Sequence, residues 1–338
     1  LQFRKAAQPA LIQDHVWRII IGEKIVVDRR MKILIGYDGS DYANAALKDL
    51  LRAGLPSDAQ AIVLSIPKFS LTEEAKTERN GKAGLLAASP EKGLEEAAAM
   101  AKKACEMIRE HFPAWEVRAE LAVGSTARIV AKKASQWNPN LIVLGLQSGV
   151  EPGHHFGGVP RQIAVAAKYS VRVARGFNAE TDDAPRVLLC VDGSPYTDAV
   201  VSAVASRDWP KGAEVRILTV VNPFDYSIPE FVDKAMERAK ALHRIIANEL
   251  DRTPAFISSV IAEGEPERVI LKIADEWRPD CIFLAPHKRN RFSRFLLGGV
   301  SGTVVARARC AVELARSVKP DVRRDSFLQA PTANPVFD

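Results

Sequence analysis

Three short patterns occur twice in this chain, in the same order, and that duplication restricts it to folds built from two similar units. The segment KILIGYDGS beginning at Lys32 returns as RVLLCVDGS beginning at Arg186. GSTARIV from Gly124 returns as GEPERVI from Gly264, and WNPNLIVLG from Trp137 returns as WRPDCIFLA from Trp277. The offset between copies falls from 154 residues at Asp38 and Asp192 to 140 at Gly124 and Gly264, so the first copy carries extra length, at about 69–90. Each copy is far longer than the roughly 20–50 residues of a solenoid repeat, which makes it a domain.

The 338 residues divide accordingly into an extension 1–30, a first domain 31–176, a linker 177–184, a second domain 185–316 and a tail 317–338. Each domain is long enough to bury a core of its own. Met31 directly precedes the first strand of the repeat, so residues 1–30 read as an upstream extension outside the native protein, or as a short appended strand or helix. Residues 317–338, with Pro320, Pro331 and Pro335 and little periodicity, read as a flexible tail. No run approaches the roughly 18 apolar residues of a membrane helix, and a net charge of +6 is too small to argue for nucleic acid. The four cysteines stand singly in apolar segments, without CxxC pairing, which suits buried thiols in a reducing cytoplasm.

Each repeat reads as five strands and four helices. Met31–Tyr37 is a short apolar run ending in Asp-Gly-Ser, where Ser40 can cap a helix, and residues 91–111 place Leu94, Ala97, Ala98, Ala101, Cys105 and Ile108 on one helical face. Leu141–Leu146 is too apolar for a one-sided strand. A run of that kind needs helices on both faces, hence an α/β fold with a doubly wound, mostly parallel sheet. Ligands in such sheets sit beyond the carboxyl ends of the strands where strand order reverses. That directs attention to Asp38 and Asp192 after the first strand, Ile66 and Val220 on the second, and the loops after the fourth. Residues 69–90 are long enough for a flap over the first site.

These motifs together resemble the universal stress protein family in tandem form. The resemblance covers nearly all of 31–316 and includes LLGGVS from Leu296 and the strand ARCAVEL from Ala308. It implies two flavodoxin-like, adenine-nucleotide alpha-hydrolase-like domains whose last strands, 171–174 and 311–315, pair within the chain as a pseudo-dimer, with a homodimer also open. One branch of the family binds ATP through the loop G-x2-G-x9-G-[S/T], whose glycines bring backbone N–H groups and a helix N-terminus to the phosphates. In repeat two the aligned positions are Ala285, Lys288, Gly298 and Gly299, with Ser301 close by. In repeat one they are Gly145, Ser148, Gly157 and Gly158, with Pro160 in place of the serine. Neither loop keeps the pattern. The candidate ligand residues are therefore Asp38, Ile66, Gly145, Gly157 and Gly158 in one half, and Asp192, Val220, Lys288, Gly298, Gly299 and Ser301 in the other.

The remaining polar residues have plain explanations. An Asp-Gly turn that starts a helix needs no ligand, which balances the reading of Asp38 and Asp192 as contacts to adenine. Arg128 and Arg268, in the first turn of a helix, call for a carboxylate or phosphate partner, and an ion pair within the chain is the simpler one. Trp137 and Trp277 read as core. His154, His155 and His287 lack metal-ligand spacing. No G-x-S-x-G elbow, Walker A sequence or G-x-G-x-x-G follows a strand, and no catalytic set emerges. The reading is a cytoplasmic stress-response protein that works by contacts with regulatory proteins, with degenerate nucleotide loops and no evident catalysis. The alternative is an ATP-binding switch with one site per chain and at most weak hydrolysis, taking ATP or AMP, with Mg only alongside ATP. No metal, membrane or nucleic-acid partner is expected.

Overall fold

The computed structural model describes residues 30–67, 90–146, 158–175, 183–226, 228–286 and 299–317. Repeat one runs β1 (Met31–Tyr37), α1 (Asp41–Asp49), β2 (Ala59–Ser65), α2 (Pro90–His111), β3 (Glu116–Leu121), α3 (Thr126–Trp137), β4 (Leu141–Leu146), α4 (Gly158–Ala166) and β5 (Ser170–Arg175). Repeat two runs β6 (Arg186–Cys190), α5 (Thr197–Ala205), β7 (Glu214–Val221), α6 (Pro229–Leu250), β8 (Phe256–Glu263), α7 (Pro266–Trp277), β9 (Cys281–Leu284), α8 (Gly299–Arg307) and β10 (Ala311–Leu314). Among the described residues the fold is α/β, with two tandem units of five strands and four α-helices each. The leader apart from Arg30, the flap at 69–90 apart from its last residue, most of the linker and nearly all of the tail lie outside the described residues.

Local chemistry sets the element ends. Ser40 caps α1 by accepting from the Ala43 amide at 3.2 Å, after Gly39 has turned the chain at φ 75°. Helices α3 and α7 both stop on a left-handed residue, Asn138 at φ 52° and Arg278 at φ 51°, and a proline follows each. The same punctuation at the same repeat position gives the same turn into β4 and β9.

The ten strands among the described residues form one sheet in the order β3-β2-β1-β4-β5-β10-β9-β6-β7-β8. Pairing is parallel within each repeat and antiparallel only at the seam, where Val312 lies opposite Val173, Glu313 opposite Arg172 and Leu314 opposite Val171. Strand order reverses between β1 and β4, and again between β6 and β9, so each repeat has one crevice at its carboxyl edge. One sheet face carries a single core shared by both halves, including Leu34, Ile142, Val171 and Val173 with Leu188, Ile282, Val304 and Val312. The opposite face carries two separate cores, one per repeat. Period-two alternation along β5 explains the difference: Val171 and Val173 enter the shared core, while Arg172 points to the divided face.

Two arginines at matching positions stitch the halves. Arg175 at the end of β5 donates to the carbonyls of Val305 and Ala306 in the last turn of α8, and Arg316 just after β10 donates to those of Ala164 in α4 and Tyr169. Each repeat thus closes the last helix of the other.

Trp137 and Trp277 are a correction to the sequence reading. Both pack against the shared core but are only partly buried. The Arg216 guanidinium lies 4.1 Å from the Trp277 ring centre, and Lys32 and Arg118 lie 5.8 and 5.6 Å from that of Trp137.

Candidate functional site

Strand register brings the candidates of each half to one edge. Gly36 is level with Leu64 and Leu144, so Asp38, Ile66 and Gly145 follow together at the carboxyl ends of β1, β2 and β4. In the same way Asp192 and Ala285 follow β6 and β9, and Val220 is the last residue but one of β7. Helices α4 and α8 begin at Gly158 and Gly299, both exposed. Gly157, Lys288 and Gly298 lie outside the described residues, as do His154, His155 and His287.

The side chains at this edge are partly committed to local structure. Asp38 accepts at Oδ1 from the Ser40 amide at 3.2 Å and its hydroxyl at 2.6 Å, and Asp192 accepts from the Ser194 amide at 3.0 Å and the Thr197 hydroxyl at 3.4 Å. Both aspartates are exposed at one end of a turn they help to build. Ile66 is buried and Val220 partly buried. Ser301, expected as a hydroxyl near a ligand, is only 3% exposed on the inner face of α8. Gly145 has a packing reason: a Cβ there would meet the backbone of Tyr42 and Ala43 at the start of α1. Gly158 adopts φ 73°, with nothing closer than 4.0 Å to an added Cβ, so only its conformation demands glycine.

Arg268 pairs with Glu265 at 2.7 Å one turn away on an exposed surface, and Arg128 is exposed. No group of three or more His, Cys, Asp or Glu side chains among the described residues could hold a metal. A hydroxyl and an imidazole do meet: Thr219 Oγ1 and His243 Nε2 lie 2.8 Å apart beneath the Asp192 turn. Thr219 donates its proton to the Val191 carbonyl at 2.9 Å, so Nε2 is the donor to it. Both side chains are buried, at 6% and 4% exposure, and burial holds the His243 pKa below its ordinary value. The pair supports the turn and is not an accessible nucleophile.

Sequence reasoning passed over the rim of repeat two. Phe224 is 89% exposed, with Tyr226, Ile228 and Phe231 also exposed in the segment that leaves β7, and Tyr196 is exposed directly after the Asp192 turn. These residues follow the carboxyl ends of β6 and β7, on the same sheet edge as the crevice. The signal in the sequence is the alternation of Phe224, Tyr226 and Ile228 with polar residues, cut short by Pro223 and Pro229 on either side, so that the run is too short and too proline-bounded for a sheet strand.

Comparison with known proteins follows the same duplication. A model of the universal stress protein family matches residues 29–175 and again residues 184–316. A universal stress protein from Archaeoglobus fulgidus DSM 4304 superimposes with a TM-score of 0.60 at 18% identity, covering 84% of this chain and 98% of that one. A protein of unknown function from Pseudomonas aeruginosa PAO1 does so with a TM-score of 0.57 at 13% identity, covering 86% and 94%. At these identities the likeness establishes the fold. No helix among the described residues is long and apolar enough to cross a membrane.

Proposed function

The chain belongs to the universal stress protein family, and from that membership we propose that this stress-response protein acts in the cytoplasm through contacts with regulatory proteins rather than through catalysis. The observation that carries the proposal is the exposed rim of Phe224, Tyr226, Ile228, Phe231 and Tyr196 at the carboxyl edge of repeat two. Aromatic residues are enriched at protein interfaces, and a partner covering this edge would take these side chains out of water. The buried free thiols suit a reducing compartment.

The test places a photo-crosslinking side chain at position 224, and as a control at Glu249 on α6, in stressed cells. Capture of a defined protein from 224 and not from 249 is the expected result; equal capture from both, or none from 224, overturns the proposal.

A second reading is an adenine-nucleotide switch in repeat two, favoured by the exposed Asp192 and the start of α8 at Gly299 on the same edge. ATP or AMP would be the ligand, with Mg accompanying ATP. A ligand that prefers the folded state raises the melting temperature with the logarithm of its concentration. We expect a flat response to millimolar ATP with and without Mg, and a rising one would put the switch in place of the first reading.

A further inference from the structure

The seam between the repeats joins two unlike surfaces at like positions. Val171-Arg172-Val173-Ala174-Arg175 aligns in the repeat with Val312-Glu313-Leu314-Ala315-Arg316, and the antiparallel register sets Arg172 opposite Glu313. This repeat position therefore faces its own counterpart across the seam, with opposite charge on the two sides. Both residues are fully buried. Arg172 Nη1 lies 3.2 Å from Glu313 Oε2, and the other Glu313 oxygen takes Arg207 Nη2 at 2.5 Å. On the repeat-one side Arg172 also makes a two-pronged contact with Asp49, at 2.5 and 3.0 Å.

The neighbouring positions repeat this asymmetry in shape. From Tyr42 and Tyr196 to Pro56 and Pro210 the repeats align without a gap, which pairs Ala53 with Arg207 and Gly54 with Asp208. Across the seam Arg207 Nη1 donates to the Ala53 carbonyl at 3.0 Å, and the Asp208 amide donates to the Gly54 carbonyl at 2.9 Å. A Cβ on Gly54 would come within 2.6 Å of the Trp209 ring. Repeat two supplies the projections, Arg207 and Trp209, and repeat one the recesses, Ala53 and Gly54.

We propose that this seam is a recognition surface that accepts only its opposite kind: the last strand of repeat one takes a last strand carrying a carboxylate at the position of Glu313, and rejects a second copy of itself. Self-pairing of repeat one would set Arg172 against a second Arg172 in a buried site. Self-pairing of repeat two would set Glu313 against Glu313, Arg207 against Arg207, and Trp209 against an aspartate where it needs a glycine. Buried like charges disfavour both arrangements and the side-chain collision at Trp209 disfavours the second, so specificity comes from what the wrong partner meets as well as from what the right one gains. Two copies of the chain that associate must then do so away from β5 and β10.

Two full-length variants test this. Glu313→Arg puts arginine on both sides of the seam, and Arg172→Glu puts carboxylates on both. Each alone should melt roughly 10 °C below the wild type and show faster amide exchange in β5 and β10 while keeping the wild-type association state in sedimentation. Mixed in equal amounts, they should form a dimer, because the unchanged repeat one of the first variant meets the unchanged repeat two of the second. Association of either variant alone beyond that of the wild type, no added association in the mixture, or unchanged exchange at the seam would overturn the proposal. Gly54→Asp keeps the test open if a charge variant does not fold, since it copies the repeat-two residue into the recess. It should raise exchange in β5 and β10, and wild-type protection there would count against the seam as a recognition surface.

Discussion

At the scale of single residues the most consequential buried group is His243. Its Nε2 supports Thr219, while its Nδ1 has no hydrogen-bond partner among the described residues. Protonation would place a charge and a second N–H in a site that offers that atom no acceptor. The folded-state pKa is lowered from 6.5 by burial, so the unfolded chain takes up the proton first as pH falls. The stability associated with His243 is therefore complete above pH 6.5 and is lost as pH drops below it toward the folded-state value. Urea titrations between pH 8 and pH 5 should show this loss in the wild type. His243→Gln should remove that part of the slope while costing about 1 kcal/mol at pH 8 for the altered hydrogen bond to Thr219; an unchanged slope would assign the pH dependence to other groups. Gly145 teaches the complementary lesson about legibility. A glycine where the family's phosphate loop begins reads from sequence as a ligand contact, yet the start of α1 already leaves no room for a Cβ. The sequence alone does not reveal how closely Tyr42 approaches, so a packing constraint and a binding motif look the same there.

At the scale of elements, the strands and helices were legible because their signals are local: short apolar runs for buried strands, three- and four-residue spacing for α2, Ser40 for the start of α1. The exchange of helix ends was not legible, because it depends on partners far apart in the chain. Arg316 reaches the carbonyls of Ala164 and Tyr169 from 152 and 147 residues away. Burial pushes its pKa down to about 10, still well above neutral pH, so a full cation sits at the carboxyl end of α4, where the helix dipole favours it. Arg316→Ala should cost about 2 kcal/mol, the usual range for charge-assisted hydrogen bonds, and should speed amide exchange in the last turn of α4 in the opposite repeat. The informative readout is this distant exchange. Loss confined to the neighbourhood of β10 would mean that Arg316 serves its own strand rather than the helix it reaches.

At the scale of the whole molecule, duplication in the sequence suggests two independent domains, and the structure shows why the suggestion is incomplete. The divided face of the sheet keeps one core per repeat, separated by the buried charges around Arg172 and Glu313. The other face has no such division: residues of β1, β4 and β5 belong to the same apolar cluster as residues of β6, β9 and β10. Opening the seam would expose part of this cluster, strip the last turns of α4 and α8 of their arginine donors, and leave Arg172 without Glu313. Each of these losses falls on both halves together. Separate unfolding of one repeat should therefore be strongly disfavoured, and scanning calorimetry should give one transition whose calorimetric and van't Hoff enthalpies agree for the full chain. A calorimetric enthalpy near twice the van't Hoff value would show the repeats melting independently. In that case the shared core would contribute too little to couple them, despite the continuous sheet.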